Sequence, residues 1–492
     1  MSAGLELADK RVAVIGAGRS GWDAARALLQ LGAQVTLYDR ADTVSAPPNT
    51  QVPLIRGRDL PDWEGLELII VSPAIRPDHP LFEEAQRRGI PVWSEIELGY
   101  RLAHAPIVAI TGTNAKTTTA ALIHHLLTQA GWQAHLCGNI AGTDADRTLT
   151  ATAMIAQPHE WIVAEVSSFQ LQNVHAFRPH IAVLTTLSPD HLDWHGSFEA
   201  YGRAKGRMLQ NLLPEDWAIL NGGDAGLQQL LGWLLAEGCP GLQNVERAGH
   251  LILNLPSLAS LFDVDPPFVV RVAPLAARIA IAVAQVLGIE AEVIQHALAS
   301  FRGVPHRMEF VAEIGGIRFI NNSMCTNAAA LHHSLSVAPK PCIVIAGGVD
   351  KNNSIEELAE AIRTYCRAAL LIGQDGERIG ASLQAKGYPH WRYVGTLERA
   401  VSQVFEWATP GETVILAPGC ASFDQFQNFI ERGERFRALV LALQHPNTPS
   451  PLWGEGRGEG SIPLEGEAPA EPPPPSPLWG GSRDEGSKEG SP

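Results

Sequence analysis

The chain has 492 residues, 45% of them hydrophobic, and a formal net charge of −15. That length allows about three domains with cores of their own, and the acidic balance argues against a general nucleic-acid or membrane-surface binder, which would present a basic face. The six cysteines (Cys137, Cys239, Cys325, Cys342, Cys366 and Cys420) show no C-x-x-C spacing, so neither a zinc site nor a disulfide framework is expected.

The N-terminal "MSAGLELADKRVAVIG" runs from a short polar lead into a strand, without the pattern of an export signal. The longest apolar runs, such as "LELIIVSPAI", fall short of the roughly 20 residues that span a bilayer. A cytoplasmic protein that neither enters a membrane nor binds nucleic acid is expected.

From there the chain alternates apolar strand-like runs with helical stretches, the pattern of parallel α/β sheets. Three cycles separate, at 1–104, 105–304 and 305–445. The first holds "RVAVIGAG", "VTLYD", "LELIIVSP" and "IPVWSEIEL"; the second opens at "IVAITGT" and includes "WIVAEVSS" and "IAVLTTL"; the third begins near "RMEFVAEIGGIRFINN" and contains "CIVIAGG" and "TVILAPG". Residues 446–492 are different in kind: they hold 11 prolines and 9 glycines and repeat "PSPLWG". Such a segment cannot bury enough apolar surface to offset its ordering entropy, and disorder is expected there.

In the first cycle, Gly16-Ala17-Gly18-Arg19-Ser20-Gly21 follows a strand and opens a helix, and Asp39 ends the next strand. Glycines there let backbone approach a diphosphate, and Asp39 offers an acceptor to a ribose. Alone, the loop admits a nicotinamide dehydrogenase, another nucleotide site or a tight packing turn. A second phosphate loop decides against the dehydrogenase. In "AITGTNAKTTTAAL", residues Gly112, Thr113, Asn114, Ala115, Lys116, Thr117 and Thr118 join a strand to a helix. Helix-terminal N–H groups would face a triphosphate, Lys116 would neutralise its β and γ phosphates, and the Thr117 hydroxyl would join Mg²⁺. Ala115 stands where glycine is usual, so an α or bridge conformation is expected there, with the cradle intact.

Further on, Glu165 ends an apolar strand, where a carboxylate is costly without a cation. His191 follows the next strand, and Lys205 lies 14 residues later on a helix. Each taken singly has a plainer reading: a solvent-facing acid, a loop-stabilising imidazole, a solvated charge.

Taken in order, "GTNAKTT", "AEVSSFQL", "TTLSPDHLDWHGS" and "YGRAKGRM", followed by "FRGVPHRME", "FINNSMCTN", "GGVDK" and "APGCASFDQFQNFIERGERF", resemble the Mur ligases, the amide-forming enzymes of peptidoglycan precursor synthesis, over residues 10 to 440. The last block, with "GAGRSG" and "SPAI", resembles the branch that adds D-glutamate to UDP-N-acetylmuramoyl-L-alanine. The resemblance implies a Rossmann-like N-terminal domain, a central P-loop ATPase-like domain and a C-terminal Rossmann-like domain; a monomer is expected. It implies ATP and Mg²⁺, with a CO₂-derived carbamate on Lys205 supplying an oxygen ligand beside Thr117, Glu165 and His191. Lys116, His191 and Lys205 become the catalytic set, and Arg307 and Asn322 join the ATP contacts. Arg19, Ser20, Asp39, Arg40, Ser72 and Asn139 would hold the UDP-substrate, and Thr326, Lys351, Ser422 and Phe429 the incoming amino acid.

The chain departs from that pattern in places. The family commonly has Asp where Asn322 stands and Lys where Met324 stands, and its His-Asn-x-x-Asn falls on Val272, Ala273 and Ala276. Besides an active D-glutamate ligase, a ligase for another amino acid and a non-catalytic UDP-sugar-binding relative therefore stay open.

Overall fold

Apolar runs without polar alternation build sheets buried on both faces, and the computed structural model contains three of them. It describes residues 6–48, 50–140, 147–258, 267–350 and 354–444. The segment 446–492 and Lys351 lie outside the described residues.

The first sheet uses β1 (Arg11–Ile15), β2 (Gln34–Asp39), β3 (Leu54–Arg56), β4 (Leu68–Val71) and β5 (Val92–Ser94), all parallel, in the order β3-β2-β1-β4-β5. The chain steps from β1 to one side and then to the other, so the strand order reverses at the carboxyl end of β1. A crevice opens at such a reversal, and the first glycine loop occupies it.

The central sheet uses β6 (Ile107–Thr111), β7 (Ala134–Gly138), β8 (Trp161–Glu165), β9 (Ile181–Leu184), β10 (Trp217–Leu220) and β11 (Leu251–Ile252), again parallel, in the order β11-β10-β9-β6-β8-β7. Its reversal lies at the end of β6, where the second phosphate loop begins. Successive β6 side chains enter opposite cores. Ile107 and Ala109 pack with Phe177, Leu184 and Tyr201; Val108 and Ile110 pack under the helices Lys116–Gln129 and Pro274–Val286. A slip of one residue would exchange the two faces, so burial on both sides fixes where β6 ends.

The third sheet uses β12 (Glu309–Ile314), β13 (Ile317–Asn321), β14 (Cys342–Gly347), β15 (Ala368–Ile372), β16 (Trp391–Gly395) and β17 (Thr413–Leu416), in the order β12-β13-β17-β14-β15-β16. The run "RMEFVAEIGGIRFINN" gives an antiparallel hairpin on an otherwise parallel sheet. Gly315 (φ +58) and Gly316 (φ +75) both take the positive φ of a two-residue hairpin turn.

Carboxylates clamp the first segment to the central one. Buried Glu97 accepts from the backbone N–H groups of His175, Ala176 and Phe177, and Glu95 Oε1 accepts from Thr150 N at 2.6 Å. Among the described residues no helix is long and apolar enough to cross a membrane.

Candidate active site

The second phosphate loop starts with a glycine that nothing else can replace. Gly112 has φ +148, and a Cβ on it would fall 2.0 Å from Thr185 Oγ1. Two threonines after β9 then hold the loop: Asn114 N donates to Thr186 Oγ1 (3.0 Å) and Thr185 Oγ1 donates to Asn114 O (2.5 Å). The expectation for Ala115 is corrected. Its backbone is left-handed, φ 68 and ψ −3, as glycine's would be. Those neighbouring bonds fix the peptide before Ala115, so the local cost of a left-handed alanine is borne by tertiary structure.

Beyond Ala115, the helix Lys116–Gln129 has no side-chain cap and no acid in its first turn. The helix Arg19–Gln30, after the first loop, shares both traits. Uncapped N-termini leave N–H groups available to an anion. In the first loop, a Cβ on Gly16 would lie 2.5 Å from the Ser72 Cβ, so glycine lets Ser72 close on the loop. Gly18 has open space around it.

Both loops open into one cleft of about 710 Å³, lined by Arg19, Ser20 and Ser72 from the first segment and by Lys116, Asn139, His191 and Lys205 from the central one. Arg76 helps to join the two walls: its Nη2 donates to Asp193 O (3.0 Å) and its guanidinium lies 5.0 Å from the Trp194 ring centroid.

Lys205, on the helix Phe198–Gly206, is 2% exposed and donates to Gly112 O at 2.9 Å. Burial, reinforced by the positive charge of Lys116, pulls its ammonium down to about 7. A substantial neutral amine fraction therefore exists at neutral pH. Lys116 donates to Thr113 O at 3.0 Å, and burial lowers its pKa as well. Glu165 at the end of β8 is 2% exposed, and its Oε2 has no hydrogen-bond partner. Burial raises its pKa, against hydrogen bonding from Thr117 and the charge of Lys116. His191 is half-exposed in the cleft with a left-handed backbone, 3.5 Å from Asp190 Oδ2.

Other expected contacts are differently placed. Asp39 is occupied within its own loop, its Oδ2 accepting from Ala17 N at 2.6 Å and its Oδ1 from Ala41 N at 2.8 Å; it braces the glycine turn. Arg40 is exposed, and neither residue lines the cleft. Asn322 is buried, donating to Ser334 Oγ (2.7 Å) and accepting from Met308 N (3.1 Å), so its amide is already used inside the protein. In the third segment, Ser422 is buried, Thr326 and Phe429 are partly exposed, and the Phe429 backbone carbonyl accepts from Ser323 Oγ at 2.8 Å. Ala276 is fully buried and Val272 partly so, which leaves apolar surface where the family pattern has polar groups.

Three family models match in sequence: the Mur ligase family catalytic domain over residues 2–105, the Mur ligase middle domain over 110–250, and the Mur ligase glutamate ligase domain over 306–420. The UDP-N-acetylmuramoylalanine--D-glutamate ligase of Caldanaerobacter subterraneus subsp. tengcongensis is 37% identical over 460 residues, covering 89% of this chain and 100% of the relative. The chain belongs to the Mur ligase family. The ligase of the same name from Gloeobacter violaceus is 38% identical over 452 residues, covering 88% of this chain and 99% of its own. Among solved structures, the UDP-N-acetylmuramate-alanine ligase of Thermotoga maritima is 17% identical with a TM-score of 0.48, covering 88% of this chain and 99% of that one.

For a Mur ligase, a divalent cation beside the phosphate loop fits the donors present. Glu165 Oε2 is a buried carboxylate oxygen without a partner, and Thr117 on the adjoining helix adds a hydroxyl. Among the described residues no group of three or more His, Cys, Asp or Glu gathers to hold a metal. A hard cation here would take its remaining ligands from phosphate and water, as Mg²⁺ does.

Sequence reasoning overlooked several cleft residues. Tyr201 Oη lies 3.1 Å from Thr113 Oγ1, its ring sits 4.6 Å from Lys205 Nζ, and burial raises its hydroxyl to about 12. Asp190, Phe169 and Trp194 also line the space. The available signal was position: all four fall inside the stretches "AEVSSFQL", "SPDHLDWHGS" and "YGRAKGRM".

Proposed function

We propose that this Mur ligase joins D-glutamate to UDP-N-acetylmuramoyl-L-alanine at the expense of ATP, in the cytoplasm and as a monomer, for peptidoglycan precursor synthesis. The observation that carries the reading is the single cleft in which an uncapped glycine loop of the first segment faces Lys116 and Lys205 of the second. Residues 1–104, 105–304 and 305–445 would each hold one reactant: the UDP-substrate, ATP and the amino acid.

A carboxylate is a poor electrophile until one oxygen becomes a leaving group. The γ-phosphoryl of ATP passes to the L-alanine carboxylate; the glutamate amine then attacks the acyl phosphate, and phosphate leaves. Arg19, Ser20 and Ser72 hold the diphosphate of the first substrate, with Asn139 across the cleft. Lys116 neutralises phosphate oxygens, and Arg307 spreads its delocalised charge over the group in transfer. Mg²⁺, when bound, supplies charge neutralisation at the phosphates, with Thr117, Glu165 and His191 as its protein contacts. The neutral fraction of the enclosed Lys205 takes up CO₂: its nitrogen bonds to the carbon, releases a proton and ends as a carbamate anion, which turns the amine into an oxygen donor. Thr326, Ser422 and Phe429, with Lys351, receive glutamate.

The test is ATP-dependent phosphate release on adding UDP-N-acetylmuramoyl-L-alanine and D-glutamate, with Mg²⁺ and bicarbonate. Amide product with D-glutamate is expected, and a panel of amino acids reads specificity. Folded protein that releases no phosphate at saturating substrates sinks this reading and favours the non-catalytic relative, which the inward-turned Asn322 and buried Ala276 would suit.

A further inference from the structure

Arg307 is a largely buried guanidinium with no carboxylate within ion-pair distance among the described residues, and burial lowers its pKa. Its aim is fixed by an unusual turn. The residues on either side, His306 (φ 61) and Met308 (φ 45), both have left-handed backbones, a conformation that side-chain-bearing residues keep only when their surroundings enforce it. Two bonds from the loop after β13 enforce it here: Met324 N donates to His306 O at 3.1 Å, and Met308 N donates to Asn322 Oδ1 at 3.1 Å.

Met324 contributes a further contact. Its Sδ accepts from Arg307 Nε at 3.2 Å and from Nη2 at 3.0 Å, while Nη1 has no hydrogen-bond acceptor among the described residues. A thioether is a weak but polarisable acceptor without charge. It holds one edge of the guanidinium without competing with an anion for the other. A lysine at 324, as the family pattern has, would instead set an ammonium against this edge, and two unscreened cations in a buried site repel strongly.

We infer that Met324 is a positioning residue, its sulfur holding the Nε and Nη2 edge of Arg307 so that the remaining edge meets the phosphoryl group in transfer. The inference rests on the ATP-dependent ligase reading for its reaction and on the Met324–Arg307 geometry for its residues. Arg307 is the group that touches substrate, and Met324 acts through it.

A double-mutant cycle on the full-length chain tests this, using M324L, M324Q, R307A and R307A/M324L. Leucine keeps the bulk and removes the acceptor; glutamine restores one. M324L is expected to lower kcat/KM for ATP about tenfold, the scale of one hydrogen bond to a charged group, with an unchanged melting temperature. M324Q should recover most of that loss, and M324L should cost nothing further in the R307A background. A wild-type-like M324L, or an equal loss with and without Arg307, overturns the inference. The affinity of a non-hydrolysable ATP analogue, measured by calorimetry on the same four variants, separates the two readings. If the wild-type chain binds the analogue but forms no amide, the ligase reading fails while the coupling is still measured; no binding at all overturns both.

Discussion

The central and third segments treat the polar side chains of their motifs in opposite ways. In the central segment the motif residues are left unsatisfied by protein: Glu165 Oε2 has no partner, the helix Lys116–Gln129 lacks a cap, and Lys205 sits buried with one backbone acceptor. In the third, the motif residues are consumed internally. Asn321 Nδ2 donates to Glu309 and to Gly433 O, Asn322 bridges Ser334 and Met308, and buried Arg432 donates to Ser323 and Cys420 O. Buried polar groups are normally satisfied; Glu95 Oε2 and Asp216 Oδ1 are exceptions away from the cleft, whereas Glu165 Oε2 is one beside the phosphate loop, where a cation would complete it. The central segment has a site suited to charge, and the third has a scaffold that fixes the turn carrying Arg307, whose charge acts on Glu165 and Lys116.

The largest effect should come from the central segment. K205A removes the amine proposed to take up CO₂ and is expected to lower kcat by about 10²–10³-fold, as loss of a principal electrostatic group in an active site does. Because burial and Lys116 pull this lysine down to about 7, the neutral, CO₂-reactive fraction grows as pH rises from 6 to 8. Bicarbonate-dependent activation of the wild type should rise over that window and be absent in K205A, read by phosphate release. Activation that falls with pH would mean that the ammonium, not the amine, is the working form.

A smaller effect, of a different kind, is expected in the third segment. N322A strands Met308 N, while Ser334 Oγ keeps its bond to Ala330 O, and one unsatisfied buried group costs about 1–3 kcal/mol, so denaturant unfolding should register a loss of that order. A ribose contact would reveal itself otherwise, as lost discrimination between ATP and 2′-deoxy-ATP. That preference is expected to be unchanged in N322A; its collapse would reassign Asn322 to the nucleotide and erase the contrast between the segments.

The same contrast explains what could be read in advance. Apolar runs without alternation announce parallel strands, and glycine or lysine at strand ends announces phosphate loops, because each follows from local backbone and charge requirements. Hence the loops at Gly16 and Gly112, and Lys116, Glu165, His191 and Lys205 beyond them, were legible as candidates. Whether a polar side chain is free is a tertiary property. Asp39 and Asn322 carry the right groups at the right places in the motif, yet Asp39 is occupied by the backbone N–H groups of Ala17 and Ala41, and Asn322 by Met308 and Ser334. Met324 read as a lost donor; only the turn His306–Met308, remote in sequence, reveals it as an acceptor.

Ala115 offers the finest test, because it asks whether the phosphate loop's shape belongs to its own residues or to the threonines behind it. A left-handed conformation costs an L-residue about 1–2 kcal/mol, and glycine avoids that cost while losing about 0.5–1 kcal/mol more entropy on folding. A115G should therefore stabilise the protein slightly, by about 0.5–1 kcal/mol in denaturant unfolding. Nucleotide affinity should stay within about twofold, since Thr185 and Thr186 already hold the peptide of Asn114 and the amides need no new orientation to meet an anion. If A115G instead loosens nucleotide binding about tenfold, the alanine Cβ is restricting the loop in a way that the threonine anchors do not, and the cradle is shaped from within.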